Sequence, residues 1–165
     1  MPPTTKAIAD AAHVSIGTVY RYFNDRDEIL GVLLEGTTRD IYNDLTAAVG
    51  AAMDLDLEAA TLVIVEALTS SFERHAPVLL AFVDRGADTE MARVESTLFA
   101  LARVIPARHR PDLSPAQLDD LVFVTMGFTA SGCLRIALQR SPHADREAMI
   151  EVTARMLAAA LRRPA

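Results

Sequence analysis

Apolar residues recur along this chain at spacings of three and four, and no run alternates apolar with polar residues long enough to argue for a strand. The chain therefore reads as all-α. Alanine, leucine, arginine and glutamate dominate and glycine is scarce, a composition that favours helix. A short helix is predicted from about Lys6 to Ala12, ending at His13-Val14. Ser15 then caps a second short helix running to Phe23. Asp25, with Glu28 three residues later, forms a capping box for a long helix from Arg26 to about Val49.

Beyond Gly50, helices are predicted from Leu57 to Arg74, from Pro77 to Arg85, and from an N-cap at Asp88 to Val104. The segment Ile105 to Leu113 holds Pro106 and Pro111 with Arg108, His109 and Arg110, and reads as a loop. Ser114-Pro115 is a start signal, serine at the cap and proline in the first turn, for a helix to Leu138. A last helix is predicted from about Asp145 to Leu161.

Composition refines this outline. At 165 residues and 51% hydrophobic content, the chain can fill one core, or carry a small head on a larger body. The net charge of −6 argues against a surface coated in basic residues. Residues 4–26 carry Lys6, Arg21 and Arg26 against Asp10 and Asp25, so this segment is net +1 and the remainder net −7. Any contact with nucleic acid is therefore local to the head. The single cysteine, Cys133, and the lack of a leader pattern point to a reducing cytoplasm. The apolar stretches Leu57 to Leu68 and Leu121 to Leu138 are too short or too interrupted to span a bilayer, so they are expected to be buried helices, with no membrane as partner.

The informative segment is Thr4 to Leu30, TTKAIADAAHVSIGTVYRYFNDRDEIL. Ile8, Ala9 and Ala12 fall on one face of the first short helix, Val19 and Phe23 on one face of the second, with Val14 in the turn. Packing those stripes together leaves Ser15, Gly17, Thr18, Arg21 and Tyr22 outside, on a short helix of a width that fits a major groove. Such an arrangement is a helix-turn-helix. With Thr5, Ile8-Ala9, Ala12, Val14-Ser15, Gly17-Thr18, Tyr20 and Phe23 in unbroken spacing before Arg26, the segment resembles the TetR family of transcriptional regulators, AcrR-like in form.

The resemblance implies roles residue by residue. Thr5 starts the positioning helix and touches phosphate, and Lys6 reaches a base edge. Ser15 caps the recognition helix, while Ile16, Gly17 and Thr18 approach the groove. Tyr20 and Tyr22 match phosphate-contacting positions, and Arg26 replaces a lysine that contacts backbone phosphate. His13 stands where the family has glycine, a position expected to need positive φ. In the family a complete helix precedes the position of Thr5, whereas only Met1-Pro2-Pro3 does here, so a truncated head is expected, with Ile8, Val14, Val19 and Phe23 partly open to water. The chain is thus expected to be a helix-turn-helix head over residues 1–30 followed by a helical ligand-binding and dimerisation body over 31–165.

For the body, Phe72, His75, Phe82, Arg85, Phe99, Phe123 and Met126 are the candidate ligand contacts, though the aromatic residues and Met126 are most simply core. His75 and Arg85 are the candidate polar handles for an anionic ligand. Small residues at Gly127, Ala130, Ser131 and Gly132 and at Ala154, Ala158, Ala159 and Ala160 suit either a dimer interface or close packing within the chain. The histidines lack metal-ligand spacing, and no nucleophile-base pair or phosphate loop is present, so neither an enzyme, a metal nor a cofactor is expected. The resemblance implies a repressor that binds a near-palindromic operator in double-stranded DNA as a homodimer and is released by an apolar or amphipathic small molecule. The alternative is a helical ligand-sequestering or interaction protein that has lost DNA binding through truncation of the head.

Overall fold

The computed structural model describes residues 4–83, 96–138 and 145–162, and within them every regular element is a helix. Helices α1 (Thr5–Ala11) and α2 (Ile16–Tyr22) precede the long α3 (Arg26–Ala52). They are followed by α4 (Leu57–Arg74), α5 (Ala76–Val83), a helical stretch over residues 96–102, α6 (Val104–His109), α7 (Pro115–Leu138) and α8 (Arg146–Leu161).

Local capping chemistry sets most of these boundaries. Thr4, Ser15, Asp25, Asp56 and Asp145 each accept a hydrogen bond from a backbone N–H in the first turn of the helix they precede. At α7 the cap is reciprocal: the Gln117 amide donates to Ser114 Oγ at 3.4 Å, and the Ser114 amide donates to Gln117 Oε1 at 3.0 Å. At α3 the Glu28 amide donates to Asp25 Oδ1, but Glu28 Oε2 reaches back to the amide of Asn24, one residue before the cap.

The segment read as a loop is a correction. Residues 104–109 form α6, with Ile105 and Pro106 buried. Proline is tolerated because Pro106 lies in the first turn, where the N–H it lacks would have no acceptor within the helix. Burial of Ile105 against Val49, Ala52 and Ala60 holds this turn against α3 and α4. The predicted N-cap Asp88 lies outside the described residues, and α5 begins at Ala76 rather than Pro77.

The main core joins Ile41 of α3 and Val65, Leu68 and Phe72 of α4 to Cys133 and Ile136 of α7 and to Ile150, Leu157 and Leu161 of α8. At the crossing of α7 and α8, a Cβ built on Gly132 would lie 3.2 Å from Thr153 Cγ2, so close helix approach explains this glycine. The head has its own small cluster of Ala9, Val19 and Ile29, flanked by Ile8 and Phe23. Val19 is buried, contrary to the expectation of an open apolar face, while Val14 is exposed and Ile8 and Phe23 are partly buried. Helix α7 is also less enclosed than expected. Its 24 residues are long and apolar enough to cross a membrane, at a mean hydropathy of 1.7 over its best window, yet only 28% of that window is buried.

Candidate nucleic-acid interface and body cavity

The head is built on a turn that its sequence makes demanding. α1 ends in a Schellman arrangement, with the Val14 amide donating to the Ala9 carbonyl at 3.0 Å and the His13 amide to the Asp10 carbonyl at 3.2 Å. His13 occupies the left-handed position at φ 54°, where glycine is the usual residue. The turn closes nevertheless, bringing Val19 onto Ala9.

Packing through Val19 alone leaves the rest of α2 outside. Ser15, Ile16, Gly17, Thr18, Tyr20 and Tyr22 are all exposed, as are Lys6 on α1 and Arg21 on α2. Tyr20 and Tyr22 retain 54% and 69% of their full exposure, and the Arg21 guanidinium lies 6.0 Å from the Tyr22 ring centroid. The hydroxyls of Ser15 and Thr18 share one hydrogen bond of 2.8 Å, so lone pairs and one proton remain for an outside partner. A Cβ on Gly17 would meet nothing nearer than Ser15 Oγ at 3.7 Å, so the interior of the chain does not require glycine there.

Two residues are less open. Thr5 is half-buried as the first residue of α1, its capping role taken by Thr4. Arg26 is half-buried at the start of α3, and its Nε and Nη2 are enclosed without a hydrogen-bond acceptor. A guanidinium held in that way is poorly satisfied by the chain alone.

The body contains a cavity of about 100 Å³ between α3, α4, residues 98–106, α7 and α8. Phe72 and Met126 are brought to it, together with Leu45 and Val49 of α3 and Leu157 and Leu161 of α8. His75, Phe99 and Phe123 do not line it. His75 caps the C-terminus of α4 with Nε2 3.9 Å from Asp40, and Phe123 points outward at 65% exposure. Arg85 and the side chain of Phe82 lie outside the described residues. The aliphatic lining and the hydroxyls of Thr61, Thr125 and Thr129 also belong to the cavity, positions that helical periodicity marks only as interior.

Helices α1 and α2 thus form a helix-turn-helix whose second helix presents hydroxyls, aromatics and a cation outward. Residues 3–33 match the family model of the bacterial regulatory proteins, tetR family, so the head is similar to that of TetR-family transcriptional regulators. No curated protein matches the chain.

Proposed function

We propose that this chain is a ligand-responsive repressor that binds a near-palindromic operator in the cytoplasm as a homodimer, with two heads entering successive major grooves about 34–36 Å apart. The observation that carries the reading is the outward face of α2, where polar, aromatic and cationic side chains are exposed and a glycine leaves room for close approach. Lys6, Ile16, Gly17 and Thr18 face the groove, while Thr5, Ser15, Tyr20, Tyr22 and Arg26 serve phosphate. The head is residues 1–30 and the body 31–165, joined by α3.

The dimer surface is the outer face of α7 and α8. Phe123 and Val124 on α7 and Val152 and Met156 on α8 are exposed apolar side chains, and Gly127, Ser131, Ala159 and Ala160 are small and exposed beside them in sequence. A second copy covering this face forms a four-helix interface and removes the apolar surface of α7 from water.

The effector occupies the body cavity. Leu45 and Val49 line it from the same helix that carries Ile29 in the head, so occupancy acts on the element that sets head position. An effector that binds the non-operator arrangement more tightly lowers DNA affinity by at most that difference in affinity.

The test uses the duplex that the wild-type protein selects from a random library. Thr18→Ala and Tyr20→Phe are expected to weaken binding to it in gel shift, with the dimer unchanged in sedimentation. Unaltered DNA affinity in both variants overturns the assignment of α2.

A further inference from the structure

The body cavity has an unusual polarity for a site that recognises a ligand. Its described lining is aliphatic and aromatic apart from three threonines, and no ionisable side chain belongs to it. Several charged groups of the surrounding helices are paired with one another. Arg146 binds Glu66 and Glu73, Arg74 binds Asp44, Arg103 pairs with Asp119, and His75 faces Asp40. An ion entering this cavity gives up its water for an apolar wall, which excludes carboxylates and ammonium groups far more strongly than neutral molecules.

The three hydroxyls are not equivalent. Thr61 Oγ1 donates to the Glu58 carbonyl at 3.0 Å and Thr125 Oγ1 to the Leu121 carbonyl at 2.7 Å, each within its own helix. Thr129 Oγ1 is buried and makes no hydrogen bond. Rotation about its χ1 exchanges hydroxyl for methyl, and no existing bond is lost when the hydroxyl turns to a ligand. We infer that the cavity takes a small uncharged molecule with one hydrogen-bonding group, and that Thr129 is the residue that meets this group; the inference rests on the effector-site reading above. At about 100 Å³ the space holds several waters or a single-ring molecule.

The experiment is calorimetric titration of the full chain at pH 7.5 with 4-ethylphenol, ethylbenzene and 4-ethylbenzoate, three probes of similar shape of which only the last is ionised. 4-Ethylphenol is expected to bind at least tenfold more tightly than 4-ethylbenzoate. Thr129→Val, which removes an unpartnered hydroxyl and should fold normally, is expected to bind ethylbenzene as before and 4-ethylphenol about fivefold less tightly. Thr129→Ser is expected to restore the phenol. Equal or tighter binding of 4-ethylbenzoate overturns the inference and leaves the effector site standing. Phenol affinity unchanged in Thr129→Val overturns the role of Thr129. If the wild type binds none of the three probes, the effector-site reading fails together with the inference.

Discussion

Ile29 and Leu30 are consecutive on α3, yet Ile29 closes the head cluster with Ala9 and Val19 while Leu30 packs with Ala81 of α5 in the body. They are 6% and 3% exposed, so both contacts are close. On a helix, adjacent residues point about 100° apart, and α3 uses that angle to face two cores at once. The same geometry makes the two cores separable by mutation.

Ile29→Ala is expected to cost about 2–5 kcal/mol, and the loss falls on the smaller core. Hydrogen exchange should show the amides of α1 and α2 losing protection while those of α4 and α7 keep theirs. Leu30→Ala should instead weaken the junction of α3 with α5. If both variants melt every helix together, head and body are one cooperative unit and the division between them is wrong.

How much of this was legible in the sequence follows from how local each feature is. The caps at Ser15, Asp25, Ser114 and Asp145 are decided within four residues, and the helices they start were predicted closely. Helix α6 was not, because Pro106 reads as a breaker until burial of Ile105 against Val49 and Ala60 is known. Phe123 shows the limit of periodicity. Helical spacing marks it as part of an apolar stripe, but only the packing of α4 and α8 onto the opposite side of α7 shows that this stripe faces out. The cavity is likewise a property of five segments together, so its lining was largely hidden.

Arg146 ties α8 to α4 through a fork on Glu73, with Nε 3.0 Å from Oε1 and Nη2 3.0 Å from Oε2, while Nη1 reaches Glu66 at 2.9 Å. The carboxylates beside it raise the guanidinium pKa, so the charge is fixed at any pH the fold tolerates. Arg146→Met keeps the stem and removes the fork on Glu73 and the bond to Glu66. A loss of about 1–3 kcal/mol is expected in urea unfolding at unchanged m-value. Arg146→Lys should recover little of it, because an ammonium cannot make the planar fork. Full recovery by lysine would show that charge alone matters.

At His13 the left-handed backbone gives mutations opposite signs. Histidine is tolerated at φ 54° at a cost of about 1 kcal/mol, which His13→Gly relieves in part. A β-branched residue fits this region badly, so His13→Val is expected to open the turn between α1 and α2 and weaken DNA binding more than His13→Gly does. Equal DNA affinity in the two variants would show that the turn relaxes away from positive φ.

Burial pushes the Cys133 thiol up to about 11, and its Sγ–H donates to the Val65 carbonyl at 3.8 Å. The thiolate is the reactive form, so a disulfide reagent at pH 8 should label the folded protein only as fast as the core opens. The same shift fixes a pH dependence. A proton held more tightly in the folded state stabilises it fully below the ordinary thiol pKa near 9, and that stability is lost as pH rises toward 11. Wild type should lose about 2 kcal/mol across this window relative to Cys133→Ala. Parallel curves for the two proteins would place the thiol in contact with solvent.

The salt dependence of operator binding tests how far the head acts alone. Within residues 4–26 the cations are Lys6, Arg21 and Arg26, and the rest of the chain is net negative. In the proposed dimer two heads would neutralise at most about six phosphates, which gives a log-log slope of affinity against salt no steeper than about −5. Arg26 is a special member of the set because its Nε and Nη2 are enclosed without an acceptor, and in the proposed complex the side chain turns outward to gain one from phosphate. Arg26→Ala should therefore lower affinity more than Arg21→Ala, whose guanidinium sits near the Tyr22 ring in water, while each flattens the slope by about 2 per dimer. A wild-type slope near −10 would show that basic groups outside this segment contact DNA.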